Sequence, residues 1–261
     1  MSETIRLKRD ARGVAVITLA RSDKHNAMSV LMLKELEQAA RMLARDEEVR
    51  VVILASEGPS FCAGADLAWM REQFGMERSA RRAESARLAS MLGALHALPQ
   101  PLIARVQGNA FGGGIGLMSV CDAAFAAPHA RFALSEVRLG IIPANIGPYV
   151  IARMGARNAG RIFMNGRMFA ASEAISLGLL TDVSDDLDAA IEAEIAPYLT
   201  CAPGAVRASK RLLRDLAPPI PPEQIEAAID ALAERWESEE ARSGIGAFLD
   251  KLPSPWARGA L

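Results

Sequence analysis

Between residues 107 and 122 the chain reads QGNAFGGGIGLMSVCD, with glycine at four of the five positions from Gly112 to Gly116. A β-branched strand, Pro101–Val106, leads into this cluster, and an apolar helix leaves it and runs to about Val120. Each glycine at a helix start costs roughly 1 kcal/mol relative to alanine, so something must offset the loss. Two arrangements can do so. One is close packing of the helix against a neighbour. The other is a ligand held against bare backbone N–H groups at the positive end of the helix. The spacing does not match GxGxxG and no Walker lysine follows, so a dinucleotide loop is a poor fit.

A second junction of the same kind is Ser60–Met70, SFCAGADLAWM. Small residues again sit where a strand and a Gly/Pro loop give way to a helix, and Asp66 falls in its first turn, where a carboxylate suits the helix dipole. Two such junctions suggest paired N–H donors, the arrangement that stabilises a developing oxyanion.

Around these junctions strand and helix patterns alternate. Val14–Ala20, Arg50–Ala55, Pro101–Val106, Ala123–Ala127 and Arg131–Leu134 are predicted strands. Ser29–Asp46, with Ser29 as N-cap, and Ala83–Leu98 are predicted helices. Beyond Tyr149 the strand pattern fades, and five helices are predicted: Val150–Met164, Ser172–Leu177, Gly204–Leu216, Pro222–Trp236 and Ser238–Leu249. The expected fold class is α/β, with βαβ units and right-handed crossovers. Residues 1–200 form its core and 201–261 a helical C-terminal region.

With 51% apolar but only 5% aromatic residues, the core must be aliphatic. Thirty basic side chains against 31 acidic ones leave a net charge of −1, which excludes a strongly basic nucleic-acid binder. Cys62, Cys121 and Cys201 are too widely spaced for a zinc knuckle, and His25, His96 and His129 have no HExxH context, so no metal site is expected. GxSxG is absent, which argues against a Ser–His–Asp hydrolase. The first thirteen residues lack an apolar core, and no apolar run reaches the ~18 residues of a membrane helix. A soluble, cytoplasmic protein with reduced thiols is expected.

Cys62–Met70 (CAGADLAWM), Gln107–Asp122 and Phe132–Pro143 (FALSEVRLGIIP), followed by Asn165–Leu180 (NGRMFAASEAISLGLL), resemble in order the signature regions of the crotonase superfamily, the enoyl-CoA hydratases and isomerases. The similarity reaches Phe248–Trp256 and so covers almost the whole chain. GADLAWM and SEVRLGIIPA look most like bacterial methylglutaconyl-CoA hydratases and related acyclic-terpene enzymes, which implies leucine degradation or related acyl breakdown. The resemblance implies a crotonase-like fold of repeated ββα units in a spiral. It also implies a homotrimer or dimer of trimers built through the C-terminal helices.

It further implies roles for individual residues. The N–H groups of Ala63 and Gly113 would form the oxyanion hole for an acyl thioester. Lys24, His25 and Ala27, with Ala63, Gly64, Ala65, Asp66 and Leu67, would line coenzyme A, which is part of the substrate, so no separate cofactor is needed. Arg21, Lys24 and Lys251 are candidates for a local basic patch facing its phosphates. Glu136 would be the proton-transferring carboxylate. The first glutamate of the two-carboxylate hydratases is absent, its position being Gly116, which should leave room beside the acyl chain. Asn145 matches a position used as a second acid by dienoyl-CoA isomerases. An amide there could orient water or a substrate carboxylate, or cap the turn after Pro143. The expected reaction is hydration of a 2-enoyl-CoA, including branched or dicarboxylic ones. Alternatives are Δ3,Δ2-isomerisation with Glu136 as sole base, and a non-catalytic acyl-CoA-binding module.

Overall fold

Strand β3 (Val51–Ser56) is buried at every position, so it needs cover on both faces. Val52 and Leu54 face the main core, while Val51, Ile53 and Ala55 join a second cluster on the opposite face, as the two-residue period of a strand requires. The computed structural model describes residues 2–257. In it β3 lies in a six-stranded sheet of order β1-β2-β3-β5-β7-β10, formed with β1 (Ile5–Arg9), β2 (Val14–Leu19), β5 (Leu102–Val106), β7 (Ala123–Ala126) and β10 (Asp182–Val183). Only the β1–β2 pairing is antiparallel in this sheet.

Three of these strands are each followed at once by a short strand that leaves for a second sheet. These are β4 (Ser60–Cys62), β6 (Asn109–Phe111) and β8 (Arg131–Ala133), and with β9 (Phe169–Ala170) they form the order β4-β6-β8-β9. The repeat is ββα: β3-β4 leads to α2 (Leu67–Phe74) and α3 (Arg78–His96), and β5-β6 leads to α4 (Gly113–Ser119). This is the expected crotonase-like α/β architecture. No strand is predicted over β1, β4, β6, β9 or β10. The five longer strands predicted all form, with ends shifted by one residue or so.

Helix α1 (Val30–Arg45) follows α1's predicted cap, Ser29, whose hydroxyl accepts from the Met32 N–H at 3.3 Å. Helix α3 starts at Arg78, five residues earlier than predicted. Helices α5 (Gly147–Phe163) and α6 (Ala171–Ser176) follow, then α7 (Leu187–Thr200), for which no helix was predicted. Leu187, Ile191 and Ile195 of α7 cover the second face of the sheet. The chain closes with α8 (Pro203–Leu216), α9 (Pro222–Trp236) and α10 (Glu239–Leu249). A third apolar cluster joins Met70 of α2, Ile141, Leu232 and Trp236 of α9, and Ile245 of α10. No described helix is long and apolar enough to cross a membrane.

Candidate active site

Residues 25 and 26 fold the chain back on itself: His25 (φ 50°) and Asn26 (φ 53°) are both left-handed, a conformation that asparagine tolerates better than most residues. Asn26 is fully buried. Its amide nitrogen donates to the carbonyls of Glu57 (2.8 Å) and Ser60 (2.9 Å), and its oxygen accepts from the Arg21 N–H at 2.9 Å. The turn is thereby pinned to the end of β3 and to β4.

That turn sets the directions of the N–H groups in the segment from Ala63 to Asp66. The Ala63 N–H donates to the His25 carbonyl at 3.0 Å, Met28 N–H to Gly64 at 2.8 Å, and Asp66 N–H to Met28 at 3.1 Å. This parallel bridge between Met28 and Ala65 turns the N–H of Ala65 the other way, and among the described residues it has no partner. The assignment of Ala63 as an oxyanion donor is therefore corrected: its N–H is consumed by His25, and the donor available in this segment is Ala65.

The Gly113 N–H is a second one without a backbone acceptor among the described residues. Gly113 is the first residue of α4, whose leading N–H groups have no carbonyl one turn back to meet. A Cβ on Gly113 would overlap the Met28 Cε, so the end of that flexible side chain would have to move to admit one. Gly64 (φ 92°) brings the two loops together: a Cβ on it would stand 3.1 Å from the Phe111 carbonyl oxygen and 4.0 Å from the Gly113 nitrogen.

Glu136 follows β8 on a short 3₁₀ turn, Ser135–Leu139. The residue is half-buried, but its Oε2 is closed off from solvent and has no hydrogen-bond partner among the described residues. Burial pushes this carboxyl up to about 7, from 4.5, because an ion without compensating donors is disfavoured in a dry pocket. Its Oε1 lies 2.8 Å from where a Cβ on Gly112 would be. Gly112 itself has φ 49°, so glycine is required there twice over, by conformation and by the carboxylate.

One cavity of about 910 Å³ joins these parts. Every residue predicted for the oxyanion hole and the acyl-CoA lining, with Glu136 and Asn145, borders it. Lys24, His25 and Ala27 come from the pinned turn. Ala63, Gly64, Ala65, Asp66 and Leu67 come from the segment entering α2. Gly113, Glu136 and Asn145 complete the set. The sequence reading did not single out Met28, Gly112, Ile146, Trp69, Trp236 or Phe248, which also border the cavity. Gly112 carried a signal in the glycine cluster; the others read as ordinary apolar residues.

Five further expectations are corrected. Asp66 is the N-cap of α2, accepting from Ala68 N–H at 2.8 Å, not a first-turn residue. Arg21 is no free phosphate ligand: its guanidinium donates to the Ala27 carbonyl (2.6 Å) and pairs with Asp66 (2.8 Å). Lys251 lies in the turn after α10, outside the cavity, which leaves Lys24 at the mouth, making no ion pair among the described residues. The room expected at Gly116 is filled, since a Cβ there would overlap Ile146 Cγ2. Asn145 caps nothing. The turn after Pro143 closes through backbone bonds alone, Ala144 N–H to Ile142 (2.8 Å) and Gly147 N–H to Ala144 (3.0 Å), while both polar atoms of the buried amide lack partners. Cys62 is a packed thiol that burial pushes up to about 12.

Two bared N–H groups and one desolvated carboxyl on the same cavity are suited to stabilising an oxyanion while a proton moves at a neighbouring carbon. Residues 9–259 match the family profile described as enoyl-CoA hydratase/isomerase, and the chain belongs to that family of enzymes. It is 34% identical over 212 residues to the mitochondrial methylglutaconyl-CoA hydratase of Mus musculus, covering 78% of this chain and 67% of the relative. An enoyl-CoA hydratase of Alternaria alternata is 30% identical over 248 residues, covering 93% of this chain and 82% of the relative. Among solved structures, an enoyl-CoA hydratase from Shewanella pealeana superposes with a TM-score of 0.80 at 37% identity, over 98% of this chain and 96% of the other.

Proposed function

We propose that the chain hydrates a 2-enoyl-CoA, using Glu136 as its only carboxylate. The observation that carries this reading is the unpartnered, buried Oε2 of Glu136 beside a helix start whose first N–H groups are bare. The thioester oxygen accepts from the Ala65 and Gly113 N–H groups, which lowers the cost of enolate formation by a few kcal/mol per donor. Glu136 takes a proton from water as oxygen bonds to Cβ, then returns that proton to Cα. Water and substrate supply every atom, so coenzyme A enters only as part of the substrate and no cofactor takes part.

The apolar residues of the cavity lining include Leu88, Leu139, Ile141, Ile146 and Trp236. The basic residues of the lining are Arg21, Lys24, His25 and Arg71, all from the turn before α1 or from α2. Arg138, two residues after Glu136, is exposed, packs along Gly166 and does not border the cavity. An uncharged linear or branched acyl chain suits this lining better than a dicarboxylic one. Exposed Leu212, Leu213 and Leu216 on α8 support assembly into a homotrimer or dimer of trimers, which sedimentation would measure. A cytoplasmic role in branched or fatty acyl breakdown accords with this substrate class.

Incubation with a panel of enoyl-CoAs in heavy water, read by mass spectrometry, tests the reaction. Hydration adds the mass of water and places deuterium at Cα. Deuterium uptake with a shifted double bond and no added water would replace this reading with isomerisation. Binding by calorimetry without turnover of any panel member would mark a non-catalytic module.

A further inference from the structure

Two polar groups of the cavity have no hydrogen-bond partner among the described residues: Glu136 Oε2 and the whole side-chain amide of Asn145, both Nδ2 and Oδ1. Asn145 is only 6% exposed, and such an amide carries two donors and two acceptor lone pairs. Native proteins seldom leave a buried amide unsatisfied, because it loses its water without gaining a partner. The local backbone does not need it. The turn from Ile142 to Gly147 closes through its own N–H and carbonyl groups, and α5 begins without a side-chain cap.

Helix α4 fixes where the two groups stand. Glu136 Oε1 packs over Gly112, and Ile146, the neighbour of Asn145, packs over Gly116. Those glycines are four residues apart, roughly 6 Å along the helix at ~1.5 Å per residue. The carboxyl and the loop bearing the amide thus flank one turn of the same helix, and both border the cavity. A trapped water needs two to four polar partners, and these two side chains offer them.

We infer that Asn145 holds the attacking water together with Glu136, the task for which a second carboxylate is missing at Gly116. This rests on the hydratase reading above. Asn145 Oδ1 accepts a hydrogen bond from the water proton that stays on the product hydroxyl. Glu136 accepts the other proton, the water oxygen forms its bond to Cβ as the double-bond electrons move toward the thioester, and Glu136 then delivers that proton to Cα. The amide itself neither gains nor loses a proton; it orients.

The test compares wild type, Asn145→Ala and Asn145→Asp with crotonyl-CoA in steady state, and measures Kd for butyryl-CoA by calorimetry. Asn145→Ala should lower kcat by about 100-fold, the scale of a misplaced reactant, with KM and the butyryl-CoA Kd within about threefold of wild type. Asn145→Asp restores an acceptor and should recover at least about tenfold over Asn145→Ala. Its added negative charge should also move the acidic limb of the pH profile upward by raising the Glu136 pKa. Hydration by Asn145→Ala at near the wild-type rate overturns the inference, as does a parallel loss of butyryl-CoA binding, which marks a structural role. If wild type hydrates nothing, the hydratase reading fails and this inference with it. If wild type hydrates and Asn145→Ala does too, only the inference fails.

Discussion

Ile146 occupies the space that a side chain on Gly116 would need: a Cβ built there would overlap Ile146 Cγ2 and lie 3.0 Å from the Ile146 Cβ. Of the two arrangements that could offset the glycines of α4, close packing explains this one, while bared N–H groups explain Gly113. Gly116→Ala adds a methyl to a filled site, costing about 1–3 kcal/mol of overpacking, less about 1 kcal/mol regained in helix propensity. The net loss should be about 1 kcal/mol, read from urea denaturation. Shortening the neighbour in Ile146→Ala makes room, so the double variant should be more stable than the two single losses sum to, with a coupling of at least about 0.5 kcal/mol. Strict additivity would show that the two side chains do not compete for the same space.

Glu136→Gln should abolish turnover, by about 10²-fold or more, while leaving acyl-CoA binding intact by calorimetry. In the wild type the ionised form accepts the proton, and the free carboxyl titrates at about 7. kcat/KM should therefore rise about tenfold per pH unit below 7 and level off above it. A flat profile between pH 5 and 8 would mean that another group carries the proton.

The strands and helices with clear periodicity were legible in the sequence, and so were the glycine-rich start of α4 and Glu136. What escaped depended on distance along the chain or on brevity. Strands β4 and β6 are three residues long and lie in glycine-rich junctions, where no two-residue alternation stands out. Helix α7 carries Pro197 inside it, and alanines around its Leu187, Ile191 and Ile195 stripe blur the contrast between its faces, so its pattern does not announce a helix. Which N–H in CAGAD is bare is decided by the His25 carbonyl, 38 residues before Ala63, and a local motif cannot show that. The filling of Gly116 by Ile146 and the unpartnered amide of Asn145 are likewise tertiary facts.

Glu136 should also make the fold pH-sensitive. Its native carboxyl sits above the usual 4.5, at about 7, so the native state binds the extra proton between those values. Stability then falls as pH rises from about 4.5 to about 7. At about 1.4 kcal/mol per unit, Glu136→Gln should gain about 2–3 kcal/mol over wild type at pH 8 relative to the same comparison at pH 4.5. Chemical denaturation of both proteins at the two pH values measures the difference, and an equal gap at both would show that the carboxyl is not desolvated in the native state.

Helix α8 is held by a buried cation. Lys210 donates to the Gln100 carbonyl at 2.7 Å and pairs with the Asp122 carboxylate, which also accepts from the Leu102 N–H at 2.7 Å at the head of β5. The lysine side chain is 9% exposed and the aspartate 37%. Breaking a fully buried pair costs about 3–5 kcal/mol. Because Asp122 can regain water, Lys210→Met should cost less, about 2 kcal/mol by urea denaturation. The loss should be local first, so hydrogen exchange of the α8 amides should quicken more than that of β3. Unchanged stability, or exchange that quickens evenly across the chain, would show that Lys210 does not clasp α8 to the sheet.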